Sequence, residues 1–136
     1  MSRFTLSARS LQRLEGVHPQ LVEIVKLAIQ RTAVEFTVVE GLRTPERQRE
    51  LVAAGKSQTL NGLHLRQADG YGHAVDLAPL VGGAIPWNEW VWFKELADVV
   101  KACAAEQGVP VEWGGDWKTL KDGPHFQLRR GRQAAA

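Results

Sequence analysis

Cysteine is almost absent from this chain of 136 residues, and long apolar runs are missing altogether. The single cysteine, Cys103, excludes an intramolecular disulfide and any zinc site built on cysteine. Because it lies within a helical pattern, we interpret it as a small buried hydrophobic residue. No apolar run has the length needed to span a bilayer. The formal net charge of +2 is too small to indicate a nucleic-acid partner.

The amino end also lacks the pattern of an export signal. The first 16 residues contain neither an apolar core nor a cleavage site of the signal-peptide type. We therefore expect the chain to be made in the cytoplasm. If its substrate lies outside, something else must deliver the protein to it.

The overall composition is that of one soluble globular domain. Apolar residues make up 44% of the chain and charged residues 24%, which excludes disordered and membrane classes. A chain of 136 residues is long enough to bury a core of its own. We predict a single domain over residues 1–136, without internal repeats, in which the basic and then alanine-rich tail at 129–136 is frayed.

The hydrophobic pattern predicts four helices and four short strands. The helices are expected at 7–15, 19–32, 45–54 and 88–107, the strands at 36–39, 74–78, 109–113 and 125–128, and a long loop at 56–71. Ser7 and Thr44 stand where N-caps are expected, and Gly55 and Gly108 stand where helices end. This order of elements favours an α+β domain with a small, mainly antiparallel sheet packed by helices.

Two short stretches carry the residue types of hydrolytic metal chemistry. They are HLRQADGYGHAVDLAP, residues 64–79, and DGPHFQL, residues 122–128. A hydrolytic zinc site uses three protein ligands and an open position for water, and a separate carboxylate can act as general base. With one cysteine, this chain can supply only histidine and carboxylate ligands. The candidates are His18, His64, His73 and His125, together with Asp69, Asp76, Asp98, Asp116 and Asp122.

Taken alone, neither stretch decides between a metal site and ordinary structure. Asp76 shares a strand face with Ala74 and Ala78, whose small side chains leave room for an ion, but an acid satisfied at a strand edge fits as well. Asp122 precedes His125 by three residues across a Gly–Pro pair. That spacing is equally typical of an Asx-type turn.

Five short motifs follow one another along the chain. They are GLRT (41–44), His64 with GHAVDLAP (72–79), PW (86–87), WGGDW (113–117) and DGPHF (122–126). In this order they resemble the zinc peptidase family of VanY-like D-alanyl-D-alanine carboxypeptidases and L-alanyl-D-glutamate endopeptidases, and in particular its bacteriophage endolysin branch. The resemblance covers about residues 10 to 128. It implies a fold of the hedgehog and D-Ala-D-Ala-peptidase type.

The resemblance also implies a set of site residues. The family pattern is a Zn²⁺ ion held by His, Asp and His, with an acid three residues before the last histidine as general base. An arginine after the first strand holds the substrate or the developing oxyanion. Carried over to this sequence, Asp76 and His125 are metal ligands, Asp122 is the catalytic base and Arg43 is the catalytic electrophilic helper.

The first metal ligand departs from the family pattern. The usual motif places a histidine seven residues before the aspartate, where this chain has Asp69. Either an insertion at about 66–70 lengthens the loop and His64 remains the ligand, which we prefer, or Asp69 takes its place. We expect His73 to lie outside the metal site and His18, at a helix start, to be structural.

Two further expectations concern the surroundings of the site. For Arg43, a salt bridge with Glu40 or Glu46 is as well supported by the residues as a role in the cleft. Among the five tryptophans, Trp113 and Trp117 are the best candidates for lining the cleft, because they flank two glycines close to the second stretch.

The endolysin resemblance implies the function. It indicates a zinc metallopeptidase that cuts the L-alanyl-D-glutamate bond in the stem peptide of bacterial peptidoglycan, for lysis of the host cell. The protein would be a monomer without stable membrane insertion, and it would leave the host cytoplasm through a holin-type lesion to reach the periplasmic cell wall. The runner-up is a D-alanyl-D-alanine carboxypeptidase. A further alternative, motivated by the lengthened first motif, is a non-catalytic cell-wall or zinc-binding module.

Overall fold

The computed structural model describes residues 4–56 and 62–129. The predicted frayed tail, apart from Arg129, and residues 57–61 of the predicted loop lie outside these residues. The elements in chain order are α1 (Ala8–Arg13), α2 (Pro19–Arg31), β1 (Phe36–Glu40), α3 (Pro45–Ala53), β2 (Ala74–Pro79), α4 (Trp90–Gln107), β3 (Val111–Trp113), a 3-10 turn (Gly114–Asp116) and β4 (His125–Leu128). The predicted bounds differ from these by at most two residues.

Local caps explain where the helices begin and end. The hydroxyl of Ser7 accepts a hydrogen bond from the first turn of α1, and the hydroxyl of Thr44 does the same for α3. Gly108 ends α4 with a φ of 71°, a left-handed conformation that glycine adopts without a Cβ clash. Within residues 4–56 and 62–129, no helix combines the length and the apolar character needed to cross a membrane.

The four strands form one antiparallel sheet in the order β1-β2-β4-β3. The predicted α+β class with a small antiparallel sheet is therefore confirmed. β2 and β4 are the central strands, and their register places Asp76 opposite His125. The register of β1 with β2 places Glu40 opposite Asp76. Three polar side chains thus meet at neighbouring positions of adjacent strands.

The hydrophobic core is built by the helices and the apolar positions of the sheet. Helices α2 and α4 pack against each other, and α4 also contacts β2 and β3. The predicted buried stripe of α4, comprising Phe93, Leu96, Val100 and Cys103, lies in this core. Val75 and Leu77 of β2 are fully buried in the same cluster, and strand alternation directs Asp76 to the opposite face. The Asp76 side chain is therefore presented away from the core that fixes its strand.

Backbone hydrogen bonds anchor residues 62–73, which follow the gap in the described chain. The N–H of Gly72 donates to the carbonyl of Gly16 at 2.9 Å, and the N–H of His18 donates to the carbonyl of Gly72 at 2.9 Å. At the other end of the segment, the N–H of Arg43 donates to the carbonyl of His64 at 2.8 Å. The path of this segment is thus fixed by contacts with two earlier parts of the chain.

Candidate active site

Three predicted ligand residues, His64, Asp76 and His125, converge at one point. The Nε2 atom of His64 lies 3.2 Å from Oδ1 of Asp76, and Nδ1 of His125 lies 3.4 Å from the same oxygen. Their potential ligand atoms all lie within 4.8 Å of one another. Atoms bound to a tetrahedral zinc at about 2.0–2.1 Å stand roughly 3.3 Å apart. The spacing therefore suits a single ion held by all three side chains.

The outer ring nitrogens of both histidines face acceptors. Nδ1 of His64 lies 2.9 Å from the carbonyl oxygen of Gly41, and Nε2 of His125 lies 2.8 Å from Oε1 of Gln127. A carbonyl oxygen only accepts, so each of these nitrogens donates its hydrogen outward. In the protonated form of each ring, the other nitrogen donates a hydrogen bond to the Asp76 carboxylate; in the neutral form, it presents a lone pair towards Asp76. This is the arrangement that metal-binding histidines usually have.

Electrostatics in this group favour a charged carboxylate between two imidazoles. Burial alone would raise the pKa of the Asp76 carboxyl, but the hydrogen bonds with His125 and His64 outweigh it and hold the pKa well below its ordinary value. Burial lowers the pKa of His125, yet the interaction with Asp76 outweighs this effect and raises it. Both histidines are buried, at 4% and 8% exposure. The negative charge of Asp76 is thus kept where a cation would need it.

Asp122 lies in the turn that leads into β4 and faces the same cleft. Its N–H donates to the carbonyl of Gly114 at 3.0 Å, and its own carbonyl accepts from the N–H of His125 at 3.2 Å. Burial, and then the negative charge of Asp76, raise the pKa of the Asp122 carboxyl. A carboxylate with a raised pKa is better matched to proton transfer near neutral pH.

Arg43 is both paired and directed towards the cleft. Its guanidinium donates to both carboxylate oxygens of Glu40, at 3.0 and 2.7 Å, and to Oε1 of Gln48 at 2.8 Å. Its Nη2 atom also lies 4.0 Å from Oδ2 of Asp76. The expected pairing with Glu40 is therefore present and coexists with a place in the cleft, whereas Glu46 pairs with an arginine on its own helix. A guanidinium has five N–H groups, and these bonds use three of them.

Of the two tryptophans predicted to line the cleft, only Trp117 does so. Trp117 lines it, with its ring centroid 5.1 Å from that of His125. The prediction that Trp113 lines the cleft is wrong: it is 2% exposed, and its indole N–H donates to the carbonyl of Gly123 at 2.6 Å. It belongs to the core because β3 turns this position inward. Leu120, 67% exposed with a φ of 53°, lines the cleft instead.

A second group of possible ligands lies apart from the first. Oδ2 of Asp69 is 2.8 Å from Nε2 of His73 and 3.7 Å from Nε2 of His18. Nδ1 of His18, however, accepts a hydrogen bond from the N–H of Gln20 at the start of α2. The neutral ring must therefore carry its hydrogen on Nε2, the atom that a metal would need. We interpret this group as a set of structural hydrogen bonds between the loop and the start of α2. Asp69 therefore lies away from the cleft.

A comparison with known protein families identifies a match over nearly the whole chain. A model of the phage L-alanyl-D-glutamate peptidase family matches residues 1–130. The chain belongs to this family. The resemblance drawn from the five motifs is thereby confirmed, and this family membership makes the protein a peptidase.

Three relatives illustrate the extent of the similarity within the L-alanyl-D-glutamate peptidase family. The L-alanyl-D-glutamate peptidase of Escherichia phage T5 is 27% identical over 128 residues, covering 94% of this chain and 91% of the phage protein. The peptidoglycan L-alanyl-D-glutamate endopeptidase CwlK of Bacillus subtilis is 27% identical over 131 residues, covering 82% of this chain and 73% of CwlK. The crystal structure of the Serratia marcescens L-Ala D-Glu endopeptidase ChiX aligns with a TM-score of 0.84 at 47% identity, covering 98% of this chain and 96% of ChiX. The ChiX alignment confirms the predicted fold.

Some contributors to this peptidase site were not found from the sequence. Gln127 and Gln48 hold His125 and Arg43, and neither was singled out. The period of two along a strand offered a signal for Gln127, because it shares a face of β4 with His125. For Gln48 no local signal exists, since its contact with Arg43 depends on how α3 follows β1.

Proposed function

We propose that this peptidase hydrolyses the bond between L-alanine and D-glutamate in the peptidoglycan stem peptide, with a zinc ion held by His64, Asp76 and His125. The relatives from phage T5, Bacillus subtilis and Serratia marcescens are all named for this bond, which supports the choice of substrate. The observation that carries the proposal is the ligand spacing of two imidazole nitrogens and one carboxylate oxygen beside the acid Asp122.

The donor set suits zinc. Two neutral imidazoles and one carboxylate, with a position left open for water, form a common catalytic zinc site. When bound, zinc supplies a Lewis acid that polarises the scissile carbonyl and increases the acidity of water. The outward hydrogen bonds of His64 and His125 prepare both rings for this role.

Asp122 moves the proton in the proposed reaction. Its carboxylate accepts a proton from the attacking water as the new carbon–oxygen bond forms. When the carbon–nitrogen bond breaks, the same group delivers that proton to the leaving amine of D-glutamate. The raised pKa of Asp122 favours this exchange, because the group must both take up and release the proton.

Arg43 contributes positive charge beside the reacting carbonyl. Glu40 and Gln48 fix the plane of its guanidinium, so an N–H not used in these bonds is held in place before the substrate arrives. A preorganised donor of this kind stabilises the negative charge that develops on the carbonyl oxygen.

Mass spectrometry of muropeptides tests the choice of bond. Digestion of purified sacculi should produce fragments with a new N-terminal D-glutamate, while protein carrying Asp122→Ala, treated in parallel, should not. Release of free D-alanine without that terminus would indicate the carboxypeptidase alternative. Cosedimentation with sacculi without any released amine would indicate a non-catalytic binding module.

Host lysis through a holin-type lesion is part of the same proposal, and the phage membership of the family supports it. Bacteria that express the protein should lyse once an agent permeabilises their inner membrane, and remain intact before that. Lysis without permeabilisation would contradict this route from the host cytoplasm to the periplasmic wall.

A further inference from the structure

We propose that Gln127 and Glu112 are positioning residues that determine which ring nitrogen of His125 faces the metal. This inference rests on the proposed function only in taking His125 as a metal ligand. Gln127 lines the cleft beside His125, Glu112 lies behind it, and both side chains act through the imidazole of His125.

The three side chains form a continuous hydrogen-bonded row across two strands. Nε2 of His125 lies 2.8 Å from Oε1 of Gln127, and Nε2 of Gln127 lies 3.2 Å from Oε1 of Glu112. Strand pairing fixes this row, because Glu112 on β3 stands directly opposite Gln127 on β4. His125 and Gln127 are two residues apart and share one face of β4.

The charge of Glu112 gives the row a direction. An ionised carboxylate only accepts hydrogen bonds, so the amide nitrogen of Gln127 must face it. The amide is planar, and its oxygen must then face His125. That oxygen accepts, so Nε2 of His125 must carry the hydrogen. In the neutral imidazole, the form that binds a metal, Nδ1 is then left with its lone pair, at 3.4 Å from Oδ1 of Asp76.

The direction matters because a neutral imidazole has two tautomers of similar stability. The tautomer with its hydrogen on Nδ1 would place that hydrogen between the ring and the ion. It would have to convert to the other tautomer before the metal could bind. Outer partners of metal-binding histidines typically change metal affinity by about 10–100-fold. For His64 the partner is the backbone carbonyl of Gly41, which side-chain changes do not remove. For His125 the partner is a side chain, so substitution can reach it.

Zinc affinity of two variants tests the inference without reference to turnover. Gln127→Leu removes the acceptor and should weaken zinc binding by about 10–100-fold in competition with a chelator. Glu112→Lys replaces the acceptor at the end of the row by a donor, which turns the amide of Gln127 and favours the wrong tautomer. It should weaken binding in the same direction. Glu106→Lys is the matched control, since it reverses the charge of an exposed glutamate at the far end of α4 and should leave affinity unchanged.

A double variant separates tautomer control from a general structural effect. Glu112→Gln combined with Gln127→Glu exchanges the two groups, so a carboxylate accepts directly from His125 and an amide donates behind it. This variant should recover most of the affinity that Gln127→Leu loses. The ¹⁵N chemical shifts of the His125 ring should report a hydrogen on Nε2 in the wild type and in the double variant, and a changed tautomer in Glu112→Lys.

These experiments distinguish a failure of this inference from a failure of the proposed metal site. If His125→Ala releases zinc while Gln127→Leu and Glu112→Lys bind it like the wild type, the inference about the row is wrong and the metal site stands. If His125→Ala keeps zinc at full affinity, the metal site itself is wrong. Unfolding curves of the metal-free proteins identify any variant that fails to fold, and the double variant then decides.

Discussion

Two of the carboxylates that line the cleft, Asp76 and Asp122, have pKa values that their surroundings shift in opposite directions. Asp76 lies between two imidazoles that lower its pKa, and Asp122 lies in a half-buried position where partial burial and the charge of Asp76 raise its pKa. Neighbouring acids separated in this way generally take different roles. Asp76 is suited to hold a cation, and Asp122 is suited to carry a proton.

Replacing Asp122 with alanine tests its role as base. We expect kcat to fall by about 10²–10⁴-fold, the usual contribution of general acid–base catalysis. Zinc content should stay at the wild-type level, because Asp122 is outside the ligand group. Initial rates on sacculi and metal analysis measure the two effects. A variant with nearly wild-type rate would remove Asp122 from the mechanism.

The pH profile tests the raised pKa of Asp122. Only the deprotonated carboxylate accepts a proton, so activity should be lost as the pH falls through the pKa of this group. Because that pKa is raised, the loss should occur at a higher pH than the value of about 3.9 for an ordinary aspartate. kcat/KM is measured from acid to neutral pH, with zinc content checked at each point. An acid limb at or below the ordinary value, with zinc retained, would contradict the assignment.

Alanine substitutions at His64 and Asp69 decide the first ligand. His64→Ala should release zinc from protein at stoichiometric metal, since a ligand is lost. Asp69→Ala should retain it, because Asp69 pairs with His73 and His18 instead. Metal analysis after gel filtration measures both. Release of zinc by Asp69→Ala alone would favour the alignment in which Asp69 replaces the histidine.

At the scale of elements, local patterns gave the strands and helices but only part of the site. Alternation along β2 predicts that the Asp76 side chain points to the face of the sheet opposite to that of Val75 and Leu77, and the structure agrees. His64 was found through the family motifs, since its approach to Asp76 depends on the path of a loop that has no periodicity. The partner of Gln127 depends on the register of β3, which begins two residues later than predicted.

The junction between β1 and α3 offers a prediction at this scale. A Cβ added at Gly41 would overlap the carbonyl oxygen of Arg13 at the end of α1. Gly41→Ala should therefore destabilise the fold by about 1–3 kcal/mol, the usual cost of overpacking. It should also weaken zinc binding, because the shifted carbonyl of Gly41 is the hydrogen-bond acceptor for His64. Chemical unfolding and chelator competition measure the two effects.

Gly55→Ala is the matched control for this junction. An added Cβ there meets nothing within 4 Å, although the φ of 75° makes it strained. It should cost about 1 kcal/mol of stability and leave zinc affinity unchanged. Equal zinc affinities for Gly41→Ala and Gly55→Ala would show that the junction does not support the ligand.

At the scale of the whole molecule, the ligand group and the hydrophobic core are separate. None of the three ligand residues belongs to the core cluster, which α2, α4 and the apolar positions of the sheet build together. We therefore expect the fold not to depend on a bound metal in the way that a small zinc finger does. Under the proposed function, zinc binding would add to the stability of a domain that already has its own core.

Removal of the metal tests this separation. A chelator should abolish peptidase activity, while the circular dichroism of the backbone stays near that of the loaded protein. The melting temperature should fall, because a ligand present at 1,000 times its Kd contributes about 4 kcal/mol to the folded state. Scanning calorimetry with and without zinc measures the shift. Complete unfolding on chelation at room temperature would contradict it.

The backbones of Gly16 and His18 both hydrogen-bond to Gly72, in the segment that contains His64, the predicted first ligand. Truncation of the chain from its amino end past α1, or a fusion partner packed against α1, would weaken these hydrogen bonds. Such a change would behave as a remote inhibitor, reducing cation retention although it touches no coordinating atom. Anyone who tags or trims this enzyme would do so more safely at the opposite terminus.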